Sequence, residues 1–224
     1  MQLNKMIDHT KLGASITKTQ IDQLVDEAKT YDFKSVCVNP IWVKYAKHQL
    51  KKTDVLVCTV IGFPHGTHSA NVKAYEAVEA VKDGADELDM VINVNALKTK
   101  DYHTILHEIK GVVEAANQRT VKVIIETCYL TAEEIVKASS LVVEAGAQFV
   151  KTSTGFGTYG ARVEDVQLMK DTVKDKAEVK ASGGVRTYED AMKMIKAGAT
   201  RIGTSNGVDI MNKREKTNDT NATY

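Results

Sequence analysis

Two lysines stand where lysines are costly. Lys151 lies in Phe149-Val-Lys-Thr-Ser-Thr154 and Lys180 in Glu178-Val-Lys-Ala-Ser-Gly-Gly184, each inside a short strand-like run. A buried ammonium is expensive unless it is paired or neutralised. Such a lysine is either half of a structural ion pair or an amine nucleophile that forms a Schiff base with a carbonyl. If both lysines face inward on neighbouring strands, their charges disfavour each other, and one is expected to titrate nearer neutrality. Asp89, in Glu87-Leu-Asp-Met-Val-Ile-Asn93, suits proton shuttling as a carbinolamine forms and breaks down. It suits charge balance for the two lysines equally well. Asp8 is open to three roles: binding a substrate hydroxyl, holding Lys180, or serving as a turn or capping aspartate. Glu126, at another strand end, is a further candidate.

Three small-residue clusters follow the later strands: Thr154-Gly-Phe-Gly157, Ser182-Gly-Gly184 and Gly203-Thr-Ser-Asn-Gly207. Any one of them alone is turn chemistry. Together at one rim they predict a phosphate cradle of backbone N–H groups, with Gly155, Gly183, Gly184, Ser205 and Asn206 as candidates. Arg186 and Arg201 are possible helpers, Arg201 being also a potential partner for Glu87 on a barrel floor. The stretch Gly155-Phe-Gly-Thr-Tyr-Gly160 matches a dinucleotide pattern formally, but it comes late in the chain and lacks an acidic ribose partner.

These residues need a frame to position them. Strand signals cover Met6–Leu12, Ser35–Asn39, Val55–Gly62, Glu87–Asn93, Val121–Thr127, Phe149–Thr154, Glu178–Ser182 and Arg201–Ser205. Amphipathic stretches lie between them, including Ser69–Lys82, Tyr102–Ala116, Thr131–Ala145, Arg162–Lys174 and Tyr188–Ala197. The alternation predicts a parallel sheet with helices outside. Eight units in 224 residues average 28 each, which suits a single closed (β/α)8 TIM barrel. Thr131 with Glu134 and Thr187 with Asp190 predict helix caps.

A weak repeat fixes the faces of three strands. Lys82–Asp89, Glu144–Lys151 and Lys196–Gly203 align without gaps. Gly84, Gly146 and Gly198 suit the left-handed position past a helix end. By strand alternation Leu88, Val150 and Ile202 should point to the helices, and Asp89, Lys151 and Gly203 into the barrel. Asp89 and Lys151 then share a layer in which Gly203 leaves a gap, and a looser alignment of Tyr31–Cys37 offers Cys37 as its fourth member.

Composition narrows the class. Thirty basic and 29 acidic residues give a net charge of +1, which offers no footprint for nucleic acid or an anionic membrane. No apolar run is long enough to span a bilayer, and MQLNKMIDHT has no secretory apolar core. Cys37, Cys58 and Cys128 are odd in number and widely spaced, as expected of reduced thiols in a cytoplasmic protein. His65 and His68 lie in a loop, and His103 with His107 lacks the zinc-protease glutamate. Neither a metal nor any other cofactor is expected.

The motifs Ile7-Asp-His-Thr10, Val36-Cys-Val-Asn-Pro40, Val60-Ile-Gly-Phe-Pro64, Glu87–Asn93, Val123-Ile-Ile-Glu-Thr127, Val150-Lys-Thr-Ser-Thr-Gly-Phe156, Val179-Lys-Ala-Ser-Gly-Gly-Val-Arg186 and Arg201-Ile-Gly-Thr-Ser205 resemble the deoxyribose-phosphate aldolases. The resemblance runs from about residue 5 to 212 and touches all eight strand candidates. It implies reversible cleavage of 2-deoxy-D-ribose 5-phosphate to D-glyceraldehyde 3-phosphate and acetaldehyde. Lys151 matches the Schiff-base lysine, Lys180 the lysine that perturbs it, and Asp89 the proton-relay aspartate. Asp8 and Cys37 match pocket positions; Gly155, Gly183, Gly184 and Ser205 match the phosphate cradle. Phe156 stands where some members carry a lysine, and Asn206 where a second serine is common. The barrel domain is expected over 1–212, with a polar tail over 213–224 whose Tyr224 matches a terminal tyrosine that assists proton abstraction in some members.

Two other readings remain open on the sequence alone: a Schiff-base lyase or transaldolase with a different donor, and a barrel that binds phosphosugars without catalysis. The expected partners are small phosphosugars and aldehydes, with a homo-oligomer possible.

Overall fold

Short β-branched runs flanked by amphipathic helices have one economical arrangement, a strand cylinder sheathed by helices, and the chain adopts it. A computed structural model describes residues 2–213. The expected tail, with Tyr224, lies outside the described residues except for Lys213.

The strands are β1 (Ile7–Lys11), β2 (Ser35–Val38), β3 (Leu56–Ile61), β4 (Glu87–Val91), β5 (Thr120–Ile124), β6 (Phe149–Lys151), β7 (Glu178–Ser182) and β8 (Arg201–Thr204). Between and after them run α1 (Lys18–Tyr31), α2 (Val43–Gln49), α3 (Ala70–Asp83), α4 (Val94–Lys98), α5 (Tyr102–Ala115), α6 (Ala132–Glu144), α7 (Val163–Val173), α8 (Tyr188–Lys196) and α9 (Gly207–Met211). All neighbouring strands are parallel, and β8 returns to β1 through Ile7↔Ile202 and Asp8↔Gly203, closing the expected eight-stranded barrel.

The predicted faces are observed. Leu88, Val150 and Ile202 belong to the large apolar cluster between strands and helices. Inside the barrel a small cluster holds Leu12, Cys37, Cys58 and Val60, and beside it stand the buried charged residues Asp8, Glu87, Asp89, Lys122, Lys151, Lys180 and Arg201. Gly84, Gly146 and Gly198 adopt φ of +102°, +84° and +111°. Both capping boxes form: Thr131 accepts from the Glu134 N–H, and Thr187 from the Asp190 N–H.

Several strands stop earlier than the sequence predicts, for local reasons. β5 ends at Ile124 because Glu126 turns into the left-handed region, φ +54°, and Thr127–Tyr129 forms a short 3-10 turn. β6 ends at Lys151 instead of Thr154. There the Thr152 hydroxyl donates to the Ser182 carbonyl and accepts from its N–H, both at 3.1 Å, replacing the ladder with side-chain bonds. These early endings turn the tops of β5 and β6 into the loops of the site.

Candidate active site

The site grows from inward residues of all eight strands. Asp89 on β4 is fully buried and at its centre. One oxygen, Oδ2, accepts from Lys151 Nζ at 2.7 Å and from Lys180 Nζ at 2.8 Å. The other, Oδ1, accepts from Lys122 Nζ at 2.9 Å and from the Cys58 thiol at 3.1 Å. Asp89 and Lys151 therefore share a layer, as the repeat predicts, and Lys151 pairs in register with Lys180 on β7. Gly203 does not leave an empty gap. A Cβ there would lie 3.0 Å from Lys180 Cε, so the Lys180 side chain uses that space to reach Asp8 Oδ2 at 2.5 Å.

Asp8 sits within β1, not at a turn. Its other oxygen accepts from Ser35 Oγ and Arg201 Nη1, both at 2.8 Å. Of the roles left open by the sequence, the contact with Lys180 is the one made. Arg201 also reaches Glu87, at 2.9 and 3.2 Å, on the floor of the barrel and away from the phosphate-cradle residues. Lys122 completes the floor with a 2.7 Å contact to Glu87. Lys122, Lys151, Lys180 and Arg201 thus face Asp8, Glu87 and Asp89: four basic side chains for three carboxylates, all buried.

That arrangement sets the protonation states. Burial alone would push the Asp89 carboxyl up, but Lys122, Lys151 and Lys180 outweigh it and hold it well below the usual carboxylate range. Asp8 is likewise held low, burial being overcome by Lys180 and Arg201. Of the two lysines whose repulsion is expected to bring one toward neutrality, Lys180 is not that one. Burial opposes its charge, yet Asp8 and Asp89 raise its pKa above the ordinary lysine value. Lys122 is raised in the same way, against burial, mainly by Asp89. Lys151 differs in geometry. It keeps 3% exposure where the other two lysines have none, and it meets a single carboxylate.

Above this floor lie two cavities. One, of about 180 Å³, is lined by Gly155, Gly183, Gly184, Arg186, Ser205 and Asn206, among others, and so gathers all the cradle residues expected from the sequence. Gly183 and Gly184 are both left-handed, φ +83° and +76°, a conformation that excludes most side chains. Gly160 packs so closely on this turn that a Cβ would fall 2.1 Å from the Gly183 carbonyl oxygen. The second cavity, of about 570 Å³, is bounded by Val91, Val94, Glu126, Thr154 and Phe156. Phe156 turns its ring edge-on to Phe63 at 5.4 Å.

Cys37 is buried beside the site. Its sulfur, the Cys58 sulfur and an Asp89 oxygen lie within 4.8 Å of one another, one group of metal-type donors among the described residues. Asp89 in that group already carries three ammonium contacts, so a divalent cation there would face strong repulsion.

The pattern of the DeoC/LacD family aldolases matches residues 3–213. The deoxyribose-phosphate aldolase of Acholeplasma laidlawii is 56% identical over 224 residues, 100% of both chains. That of Carboxydothermus hydrogenoformans is 61% identical over 214 residues, 94% of each. A solved structure described as a tetrameric deoxyribose phosphate aldolase from Aeropyrum pernix is similar with a TM-score of 0.87 and 33% identity, covering 94% of this chain and 89% of that one. The chain belongs to the DeoC/LacD family of aldolases.

Within this aldolase barrel the sequence reading overlooked Lys122 as a site residue. Its signal was present: Thr120-Val-Lys-Val-Ile124 sets a lysine between valines, as Phe149-Val-Lys does, and Lys122 pairs in register with Asp89. Cys58 was likewise noted only as a thiol. No helix among the described residues is long and apolar enough to cross a membrane.

Proposed function

We propose that this chain cleaves 2-deoxy-D-ribose 5-phosphate reversibly to D-glyceraldehyde 3-phosphate and acetaldehyde, with Lys151 as the covalent amine. The observation that carries the reading is the shared oxygen: Lys151 and Lys180 both bind Asp89 Oδ2, at 2.7 and 2.8 Å. Lys151 is the amine least committed to ion pairing and the one of the three lysines that keeps some exposure. Its Nζ adds to the C1 aldehyde of the open-chain sugar, and loss of water gives an iminium. The C2–C3 bond then breaks, its electron pair passing into the iminium to form an enamine while the C3 hydroxyl loses its proton. D-Glyceraldehyde 3-phosphate leaves. Protonation of the enamine carbon and hydrolysis release acetaldehyde and free Lys151.

Asp89 is placed to take and return protons at Lys151. Lys180, held as an ammonium by Asp8 and Asp89, supplies a neighbouring positive charge and a proton donor. Asp8 holds Lys180, and Cys37 adds to the inner wall. The phosphate sits against Gly155, Gly183, Gly184, Ser205 and Asn206, where Arg186 adds charge. The binding of small phosphosugars and aldehydes follows from this chemistry, which needs no cofactor. The free thiols of Cys37, Cys58 and Cys128 suit a reducing compartment such as the cytoplasm. Self-association is inferred from the tetrameric relative together with the exposed apolar residues Ile41, Val72 and Tyr75.

Borohydride trapping tests the proposal. With acetaldehyde or deoxyribose 5-phosphate, wild type should gain a reduced adduct that peptide mass spectrometry places on Lys151, and Lys151→Met should gain none. A folded wild-type protein without adduct, or an adduct on another lysine, refutes the assignment.

A further inference from the structure

Glu126 is an unusual residue for its backbone. It holds φ +54° and ψ +68°, where a long side chain with no compensating local bond is disfavoured. Its side chain is nonetheless almost wholly buried, and burial pushes its carboxyl pKa up. Both costs are offset by one partner. The carboxylate accepts from the Thr154 N–H at 3.2 and 3.3 Å and from the Thr154 hydroxyl at 2.5 Å. The same hydroxyl accepts from the Phe156 N–H at 3.0 Å. Gly157 then packs back on the turn that follows Glu126: a Cβ there would lie 2.5 Å from Cys128 Sγ and 3.2 Å from Glu126 Oε1. A continuous set of contacts therefore runs from the end of β5 through Thr154 to the segment 155–157. That segment is the partition between the two cavities. Gly155 lines the smaller one, Phe156 the larger, and Gly157 both.

We infer that Glu126 is a positioning residue: through Thr154 it fixes the 155–157 partition and so sets the width of the phosphate cradle. The inference rests on the proposed aldolase function. It assigns Glu126 no part in the covalent steps at Lys151.

Charge and position make opposite demands, and this gives the test. A carboxylate near the cradle repels phosphate, so Glu126→Gln would tighten phosphate binding if Glu126 acted only as a charge. If it holds the partition, the same change weakens binding, because one acceptor oxygen becomes an NH2 set against the Thr154 N–H, which lies 3.2 and 3.3 Å from the two carboxylate oxygens, and the remaining acceptor is no longer charged. Thr154→Val breaks the same link without changing charge, and Thr154→Ser retains it. The measurements are KM and kcat for deoxyribose 5-phosphate, the inhibition constant of inorganic phosphate, and the borohydride adduct with acetaldehyde. Glu126→Gln and Thr154→Val should each raise KM and the phosphate inhibition constant about tenfold, with kcat changed less than threefold and the adduct still formed. Thr154→Ser should stay near wild type. The double variant Glu126→Gln/Thr154→Val should be no worse than either single, since both remove one link. Tighter phosphate binding in Glu126→Gln, unchanged constants in Thr154→Val, or a fall confined to kcat would each overturn the inference. If Glu126→Gln does not fold, the valine and serine pair at 154 decides it alone. Loss of the adduct in wild type would instead count against the aldolase reading itself.

Discussion

Replacing Asp89 by asparagine removes one charge and almost no volume, so its effect isolates electrostatics. Three ammonium nitrogens lie 2.7–2.9 Å from the carboxylate. At an effective dielectric of ~20, each gross attraction is about 6 kcal/mol, most of it cancelled by desolvation. Breaking a buried pair by removing one partner costs about 3–5 kcal/mol net, a large part of the ~5–15 kcal/mol that holds a domain folded. With a urea dependence of about 2–3 kcal/mol per molar, the unfolding midpoint of Asp89→Asn should fall by about 1–2 M at pH 7. The pH dependence carries a definite sign. In wild type Asp89 has a depressed pKa, so its stabilisation is fully present above the unfolded carboxyl pKa near ~3.9 and is lost as pH falls through the folded value. In the variant four cations face only Asp8 and Glu87, so folding favours release of a lysine proton. The variant should therefore regain stability between about pH 7 and pH 9.5. Urea unfolding followed by circular dichroism across that range provides the assay. A loss below about 1 kcal/mol at pH 7, or a stability that falls as pH rises, would refute the charge account of the lumen.

Gly160→Ala should distort the cavity that Gly160 lines together with Gly183 and Gly184. Its Cβ would meet the Gly183 carbonyl oxygen at 2.1 Å, and overpacking of this kind costs about 1–3 kcal/mol; a lowered melting temperature with weaker inhibition by phosphate is expected, and wild-type phosphate binding would contradict the close packing. Phe156→Lys should lower KM for deoxyribose 5-phosphate about two- to fivefold at low salt, by adding a cation beside Gly155, and the gain should shrink at high ionic strength. It also forfeits the edge-on contact with Phe63, worth about 0.5–1.5 kcal/mol, which thermal unfolding would register.

The barrel and its inward faces were legible because they depend on period. Alternation places Asp89 and Lys151 on the lumen side, and the three glycine-terminated helices set the phase of β4, β6 and β8. The grouping of the cradle candidates around one cavity was legible for the same reason, since their glycines follow successive strands on one rim. What period does not show is how inward side chains divide their partners. Glu87 and Arg201 lie 114 positions apart, and Asp8 and Arg201 lie 193 apart. Nothing local to Asp8 separates a lysine-holding aspartate from a turn aspartate. The same limit applies at Lys180. Two lysines on adjacent strands imply repulsion, until barrel closure brings Asp8 against the second. Glu126 is a candidate by its place at a strand end, but its bond to Thr154 depends on a left-handed backbone that its sequence neighbours, Ile125 and Thr127, do not announce.

The charge count in the lumen bears directly on the reaction. Four cations against three carboxylates leave one positive charge in excess, and a buried excess is costly. Arg201, Lys122 and Lys180 each touch two carboxylates or more, while Lys151 touches one. The excess therefore falls at Lys151, the amine proposed to react with the carbonyl. On the proposed pathway the iminium restores the excess charge, and C2–C3 cleavage converts that iminium into a neutral enamine. The field of the lumen thus opposes the state before bond breaking more than the state after it, so that it favours the step that breaks carbon from carbon. Lys122 and Glu87 serve this purpose without approaching the substrate. They tie up charge on the floor, so that the imbalance is left at one amine and not spread over three.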